Sequence, residues 1–238
     1  MELGSRRPIV LASRSPRRLE LARGAGWTVT VAPAPESAEG DEPPRGPDEP
    51  LERYVTRLAR AKAKAVARVG HPGEVSGTIL ACDTLSEVDG VALGKPADRE
   101  DARRMLVRLS GRRHRVVTGV CLWQRPQLEP LESAVESVLE MGPLSEAFLQ
   151  WYLDSGMWRG KAGACGFQDE RLPLRLVAGS PSNVVGLPLE AIGDLLREVD
   201  GMLAAAMPAP QGSRRDDERD KKTDPRGSAD GGPRGSVE

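Results

Sequence analysis

Lys62 stands out because it falls on the apolar face of a predicted helix. The segment from Pro50 to Val69 has helical periodicity, and at about 100° per residue Lys62 shares a face with Leu51 and Leu58. Five other cations fall on the opposite face: Arg53, Arg57, Arg60, Lys64 and Arg68. A lysine at the edge of a core often extends its ammonium group past that core to water. The alternative is a cation directed at a bound anion.

Asp83 is a second charged residue beside an apolar run. It follows the segment from Thr78 to Cys82, which predicts a buried strand. Ligand-binding residues of open α/β sheets collect where such strands end. An aspartate at this position also suits a turn that neighbouring backbone N–H groups stabilise. Both interpretations follow from the sequence.

A hairpin signal connects Asp83 to a second lysine. Asp89–Gly90 lies between valines and predicts a two-residue hairpin loop, which would put Thr84 opposite Lys95. Asp83 and Lys95 would then be close neighbours. One interpretation is that Asp83 and Lys95 simply form a surface ion pair. The additional cation at Lys62 favours the other interpretation, in which these residues bind an anionic ligand.

Two other segments carry groups that suit phosphate or a nucleobase. Ser13–Arg18 opens a predicted helix, where backbone N–H groups, hydroxyls and guanidinium groups suit an anion, although a plain N-cap with solvated arginines looks the same. Four glycines between residues 156 and 166 permit close approach to a ligand, as they would in a flexible connector. In that segment Lys161 could neutralise phosphate and the Gln168 amide could hydrogen-bond a base edge. His114, within a predicted strand, is interpreted as a satisfied structural histidine.

Alternating strands and helices must position these residues. The predicted strands span residues 8–12, 27–32, 78–82, 114–123, 133–141 and 171–178, with the hairpin over 85–93. The predicted helices span 16–23, 50–69, 99–109, 145–153 and 188–206, and Asp98 caps the third of them. The proline-rich, acidic segment 33–50 predicts an exposed loop. This interleaving predicts an α/β fold with a mixed twisted sheet and flanking helices.

Composition bounds the class of protein. Of 238 residues, 1–207 form the predicted globular domain, and 208–238 form a charged tail with too little apolar surface to order. The net charge of −1 gives no overall basic field for nucleic acid or a membrane surface. No run approaches the roughly 20 apolar residues of a membrane helix, and the first residues lack a signal core. Three scattered cysteines indicate a reduced, cytoplasmic protein.

Taken together, these segments resemble the Maf family of nucleoside triphosphate pyrophosphatases. The similarity spans roughly residues 8 to 200, and its motifs lie at 11–18, 57–63, 81–84, 94–98, 109–120, 161–168 and 179–188. The resemblance implies two lobes around a central cleft, as in inosine triphosphate pyrophosphatases. It also implies a homodimer, a divalent cation (Mg²⁺ or Mn²⁺), and hydrolysis of an acid anhydride to a nucleoside monophosphate and pyrophosphate.

The same resemblance assigns roles to individual residues. Asp83 matches the catalytic proton acceptor, and Glu36, with Asp83, matches the metal-binding acids. Residues matching the substrate-binding positions are Ser13, Arg17, Arg18, Lys62, Thr84, Lys95, Lys161 and Gln168. Gln168 favours the branch that prefers dTTP and UTP, although Cys165 and Phe167 depart from that branch's pattern. The alternative function is a non-catalytic nucleotide-binding regulator of cell division or septum formation.

Overall fold

A mixed β-sheet forms the centre of the protein. The computed structural model describes residues 8–35, 37–40, 42–68 and 77–206. In this part of the chain seven strands form one sheet: β1 (Ile9–Leu11), β2 (Val29–Val31), β3 (Gly77–Val88), β4 (Val91–Leu93), β5 (Arg113–Arg125), β6 (Leu131–Met141) and β7 (Leu174–Ala178). Their order is β2-β1-β3-β5-β6-β7, with β4 paired to β3. The pairs β1–β2 and β1–β3 are parallel and the others antiparallel, so the predicted mixed sheet is confirmed.

Helices flank this sheet. They are α1 (Pro16–Gly24), α2 (Ser37–Gly40), α3 (Leu51–Arg68), α4 (Arg99–Leu109), α5 (Glu146–Ser155), α6 (Pro181–Val185) and α7 (Leu189–Ala206), with a 3₁₀ turn at Ala162–Ala164. Ser15, Asp98, Ser145 and Ser180 cap α1, α4, α5 and α6 by accepting a hydrogen bond from a backbone N–H in the first turn. Of the described helices, none is both long enough and apolar enough to cross a bilayer.

Two predictions about these elements were wrong. Helix α2 interrupts the segment 33–50, which was expected to be loop throughout. More importantly, the strand expected to end at Cys82 continues to Val88, so Asp83 lies within β3 and pairs with Gly119 of β5. Asp83 and Thr84 lie between the predicted strand 78–82 and the predicted hairpin 85–93, and pairing with β5 joins them into one continuous strand. The hairpin loop is confirmed by the pairing of Val88 with Val91.

The cleft opens where β3 lacks a neighbour on one side. Strand β1 pairs with β3 only as far as Leu80, and β4 pairs with it only from Ser86 onward. Between these points the described chain supplies no strand beside β3 on that side. Asp83 and Thr84 lie in this gap, where alternation directs them to opposite faces of the sheet.

Helix α3 packs directly on one face of the sheet. A Cβ atom on Gly119 would lie 2.4 Å from backbone atoms of Val55 and Thr56, so only glycine permits this approach. The apolar stripe of α3 is buried as predicted, and Lys62 is buried with it. Val69 and the tail 208–238 lie outside the described residues.

Two apolar clusters stabilise the two sides of the molecule. One joins α1 and α7 to the centre of the sheet, through residues such as Leu11, Leu80 and Ile192. The other joins α4 and α5 to the end of β6, through Leu106, Tyr152 and Met141. These clusters correspond to the two expected lobes, and the cleft lies between α1 and the segment 159–168.

Candidate active site

A cleft of about 560 Å³ contains the predicted site. Nine of the predicted residues line it: Ser13, Arg17, Arg18, Lys62, Asp83, Thr84, Lys95, Lys161 and Gln168. Glu36, the other predicted metal ligand, lies outside the described residues. Segments that are far apart in sequence therefore meet at one place, as the resemblance implies.

Lys62 and Asp83 form a buried ion pair in this cleft. Lys62 Nζ lies 2.5 Å from Asp83 Oδ1 and 3.4 Å from the carbonyl oxygen of Cys82. Each residue is only 7% exposed, so the interpretation of Lys62 as a lysine that extends to water was wrong. Asp83 Oδ2 accepts no hydrogen bond from the described part of the chain. That oxygen is therefore available to a water molecule or a cation.

Arg18 holds three parts of the site together. Its guanidinium donates to the carbonyl oxygens of Cys82 and Gly186, each at 2.8 Å, and to Thr84 Oγ1 at 2.9 Å. Thr84 Oγ1 also lies 2.9 Å from Thr118 Oγ1. A planar guanidinium is suited to several directed bonds of this kind. Arg18 therefore lines the cleft and also fixes β3 against the end of α6.

The start of α1 contributes capped backbone and a second arginine. Ser15 Oγ accepts from Arg18 N at 3.4 Å, and Ser13 Oγ accepts from Ser15 N at 3.2 Å. Arg17 donates to the carbonyl oxygen of Gly160 at 3.4 Å, across the cleft. The N-cap interpretation of this segment is therefore correct, and it is compatible with the phosphate-binding one because Ser13 and Arg17 still line the cleft.

Lys161 has a protein partner that the sequence analysis did not identify. Its Nζ lies 2.6 Å from both carboxylate oxygens of Asp169, which also accepts from the Tyr152 hydroxyl at 2.5 Å. Burial, and then the adjacent Asp169, raise the pKa of the Cys165 thiol to about 12. Cys165 is therefore protonated at neutral pH and unsuited to act as a nucleophile.

Lys95 follows β4 and reaches the cleft as predicted. The predicted pairing of Thr84 with Lys95 is wrong, because the β3–β4 pairing ends at Ser86 and Leu93; the partner Thr118 of Thr84 lies on the other side of β3, in β5. None of the described residues forms an ion pair with Lys95. Its ammonium group is thus available to a ligand in the cleft.

Part of the cleft lining is apolar. Its aliphatic members are Val116, Leu139, Leu174, Val184 and Val185, and Cys165, Phe167 and Gln168 come from the glycine-rich segment. Sequence analysis did not identify the five aliphatic residues. Alternation in a strand predicts which residues face a core but not which of them border a cleft, and α6, which carries Val184 and Val185, is too short for a helical pattern. Ser86, also missed, lines the cleft as well.

The charge of the lining is strongly unbalanced. Among the described lining residues there are seven cations, Arg14, Arg17, Arg18, Lys62, Lys95, Arg159 and Lys161, and one carboxylate, Asp83. Such a surface attracts a polyanion. Within the described residues no three acidic, histidine or cysteine side chains form a metal-binding group. The arrangement nevertheless fits Mg²⁺, which binds through one or two carboxylates together with substrate phosphates.

His114 differs from expectation. It is buried in β5 as predicted, at 4% exposure, but neither ring nitrogen has a hydrogen-bond partner in the described part of the chain. The interpretation as a satisfied histidine was therefore wrong. Burial lowers its pKa to about 4.

Among solved structures, this chain aligns with two Ham1 proteins. The Coxiella burnetii protein aligns with 80% of this chain and 98% of its own at 18% identity and a TM-score of 0.44. The Staphylococcus aureus protein aligns with 56% of this chain and 71% of its own at 16% identity and a TM-score of 0.38.

Sequence comparison gives much stronger similarity. A protein of Rhodopirellula baltica named dTTP/UTP pyrophosphatase is 43% identical over 194 residues, which cover 81% of this chain and 82% of that one. Proteins with the same name are 45% identical in Anaeromyxobacter sp., covering 79% and 88% of the two chains, and 44% identical in Symbiobacterium thermophilum, covering 80% and 93%. Residues 8–199 match the family described as Maf-like protein. With its motifs gathered around one cleft and this match across nearly the whole described chain, the protein belongs to the Maf family.

Proposed function

We propose that this protein is a nucleoside triphosphate pyrophosphatase that acts on dTTP and UTP and yields the monophosphate and pyrophosphate. The observation that carries the proposal is a single cleft whose described lining combines seven cations and one carboxylate with apolar side chains. The cations suit a triphosphate, and the apolar side chains suit a nucleobase. The named relatives support both the reaction and the choice of base.

The cations make attack at the α-phosphorus possible. A triphosphate carries about four negative charges, which repel an attacking oxygen, and positioned cations reduce that repulsion. Arg17, Lys62 and Lys95 line the cleft where they can neutralise the phosphates. The charge that develops on departing pyrophosphate is stabilised in the same way.

Asp83 is the proton acceptor in this proposal. Its Oδ2 takes a proton from a water molecule while the water oxygen forms a bond to the α-phosphorus. The bond from the α-phosphorus to the oxygen bridging the β-phosphate breaks, and pyrophosphate leaves with that bond's electron pair. Lys62 compensates the charge on Asp83 Oδ1 from 2.5 Å and holds the carboxylate in position.

A divalent cation belongs to the same proposal. Asp83, with phosphate oxygens of the substrate, would hold Mg²⁺ or Mn²⁺. When bound, such a cation adds positive charge beside the phosphates and orients them. Family resemblance also supports a homodimer and a cytoplasmic location, and the free thiols of Cys82, Cys121 and Cys165 are compatible with a reducing compartment.

Pyrophosphate release from a panel of nucleotides tests the proposal. We expect wild-type protein with Mg²⁺ to favour dTTP and UTP, and Asp83→Asn to lower kcat by about a hundredfold or more. The matched control is Asp154→Asn, which removes an exposed carboxylate that pairs with Arg99 outside the cleft and should leave turnover unchanged. Nucleotide binding without any pyrophosphate release would support the non-catalytic regulator instead. Normal turnover by Asp83→Asn would show that the assigned role is wrong.

A further inference from the structure

Ser86 is an unusual polar residue in the floor of the cleft. It is 2% exposed, lines the cleft, and its Oγ has no hydrogen-bond partner among the described residues. The neighbouring hydroxyl groups differ: Ser13, Ser15 and Thr84 each accept a hydrogen bond from the protein. Because Ser86 borders the cleft, its hydroxyl group is open to a hydrogen-bond partner that enters the cleft.

The sheet places Ser86 beside apolar lining of the cleft. Asp83 lies on the α3 side, where its partner Gly119 contacts α3, whereas Ser86 lies on the other face. Ser86 pairs with Val116, which also lines the cleft. The residue therefore lies next to an apolar side chain and on the opposite face of the sheet from the ion pair.

The glycine-rich segment packs against the same residue. A Cβ atom on Gly163, whose φ is +67°, would lie 3.1 Å from Ser86 Oγ. Because Gly163 has no side chain, the 3₁₀ turn can pack closely on Ser86. Cys165 and Phe167, which come soon after this turn in the sequence, also line the cleft. Ser86 therefore lies where the 3₁₀ turn packs on the paired strands β3 and β5, at the lining of the cleft.

The separation of Asp83 and Ser86 along β3 matches the length of a nucleotide from its α-phosphorus to its base. Three residues of extended chain span about 10 Å, which is comparable with the distance from an α-phosphorus to the far edge of a base. A substrate with its α-phosphate at Asp83 would thus bring its base to Ser86. A serine hydroxyl can donate to a carbonyl oxygen of uracil or thymine, or accept from a ring N–H.

We propose that Ser86 is a specificity-determining residue whose hydroxyl hydrogen-bonds the nucleobase of the substrate. This inference rests on the proposed function, which it deepens by naming a group that reads the base. Deleting the hydroxyl leaves a polar group of the base without its partner in the cleft, so discrimination falls.

The experiment compares Ser86→Ala with wild type by two measurements. Pyrophosphate release is measured with dTTP, UTP, dCTP, dATP and dGTP, and binding is measured by calorimetry with UMP and with inorganic pyrophosphate. We expect kcat/KM for the preferred nucleotide to fall about tenfold, mainly through KM, and its advantage over the other nucleotides to shrink. UMP binding should weaken similarly, and pyrophosphate binding should not change. The matched control is Ser133→Ala, a strand serine outside the cleft that has no side-chain partner among the described residues.

The outcomes separate this inference from the proposed function. Thermal unfolding of Ser86→Ala should occur near the wild-type temperature, because the change breaks no hydrogen bond to the described part of the chain, so lost affinity would not reflect unfolding. An unchanged nucleotide preference, or equal weakening of UMP and pyrophosphate, would overturn the role of Ser86. Wild-type protein that binds UMP but hydrolyses no nucleotide would overturn the proposed function, while the calorimetry would still decide the role of Ser86.

Discussion

Lys62 and Asp83 depend on one another because both side chains are about nine-tenths buried. Removing one member of such a pair leaves the other without compensation, which costs about 3–5 kcal/mol. We therefore expect Lys62→Met to lower the free energy of unfolding by about 3 kcal/mol. Asp83→Asn should also destabilise, and the double variant should lose less than the sum of the two. Urea denaturation of all four proteins measures this coupling, and strictly additive losses would mean that the two groups do not stabilise each other.

Individual site residues could be predicted from the sequence where a charged side chain interrupts an apolar pattern. The positions of Lys62 and Asp83 could be predicted because helical periodicity and the run 78–82 make them exceptions. Asp169 and Ser86 could not be predicted, since an acid in a glycine-rich segment and a serine in a strand are ordinary surface choices. Asp169 and Ser86 can be recognised as residues of the site only from the structure, which brings Asp169 to Lys161 and Ser86 to the cleft.

At the scale of the elements, the contact between α3 and β5 sets the site's geometry. A Cβ on Gly119 would lie 2.4 Å from the backbone of Val55 and Thr56, so Gly119→Ala must displace α3 and with it Lys62. We expect a loss of about 1–3 kcal/mol in unfolding free energy, from urea denaturation, together with a lower kcat. The control is Gly201→Ala in α7, which has no atoms within 4 Å of the added methyl and should be neutral or stabilising. Equal behaviour of the two variants would mean that this contact does not position α3.

Elements with strong local signals could be predicted, and the others depended on their neighbours. The caps at Ser15, Asp98 and Ser145 and the Asp89–Gly90 loop follow from short-range rules. The continuity of β3 from the predicted strand 78–82 through Asp83 and Thr84 into the predicted hairpin depends on pairing with β5, which no local pattern of polar residues reveals. Helix α6 is only five residues long, too short for periodicity to be visible.

At the scale of the whole molecule, charge is distributed very unevenly. The chain carries a net charge of −1, yet the described lining of the cleft has seven cations and one carboxylate. Overall composition correctly excluded a global basic field, but it could not show that cations from segments 13–18, 62, 95 and 159–161 would meet. Only the topology of the sheet, with its gap beside β3, brings these segments together.

Stability of the whole molecule should also depend on pH through His114. Burial lowers its pKa from 6.5 to about 4 in the folded protein, so between these values the unfolded chain binds a proton that the folded one does not. The free energy of unfolding therefore falls as pH decreases from about 7 to 4, by about 3 kcal/mol from this residue alone. His114→Leu removes this contribution, so the unfolding free energy of the variant relative to wild type should rise as pH decreases across that range. Urea denaturation at a series of pH values measures the difference in unfolding free energy between the two proteins. Groups present in both, such as Glu87, contribute equally and cancel in that difference. Parallel pH profiles for the two proteins would mean that His114 titrates alike in the folded and unfolded states.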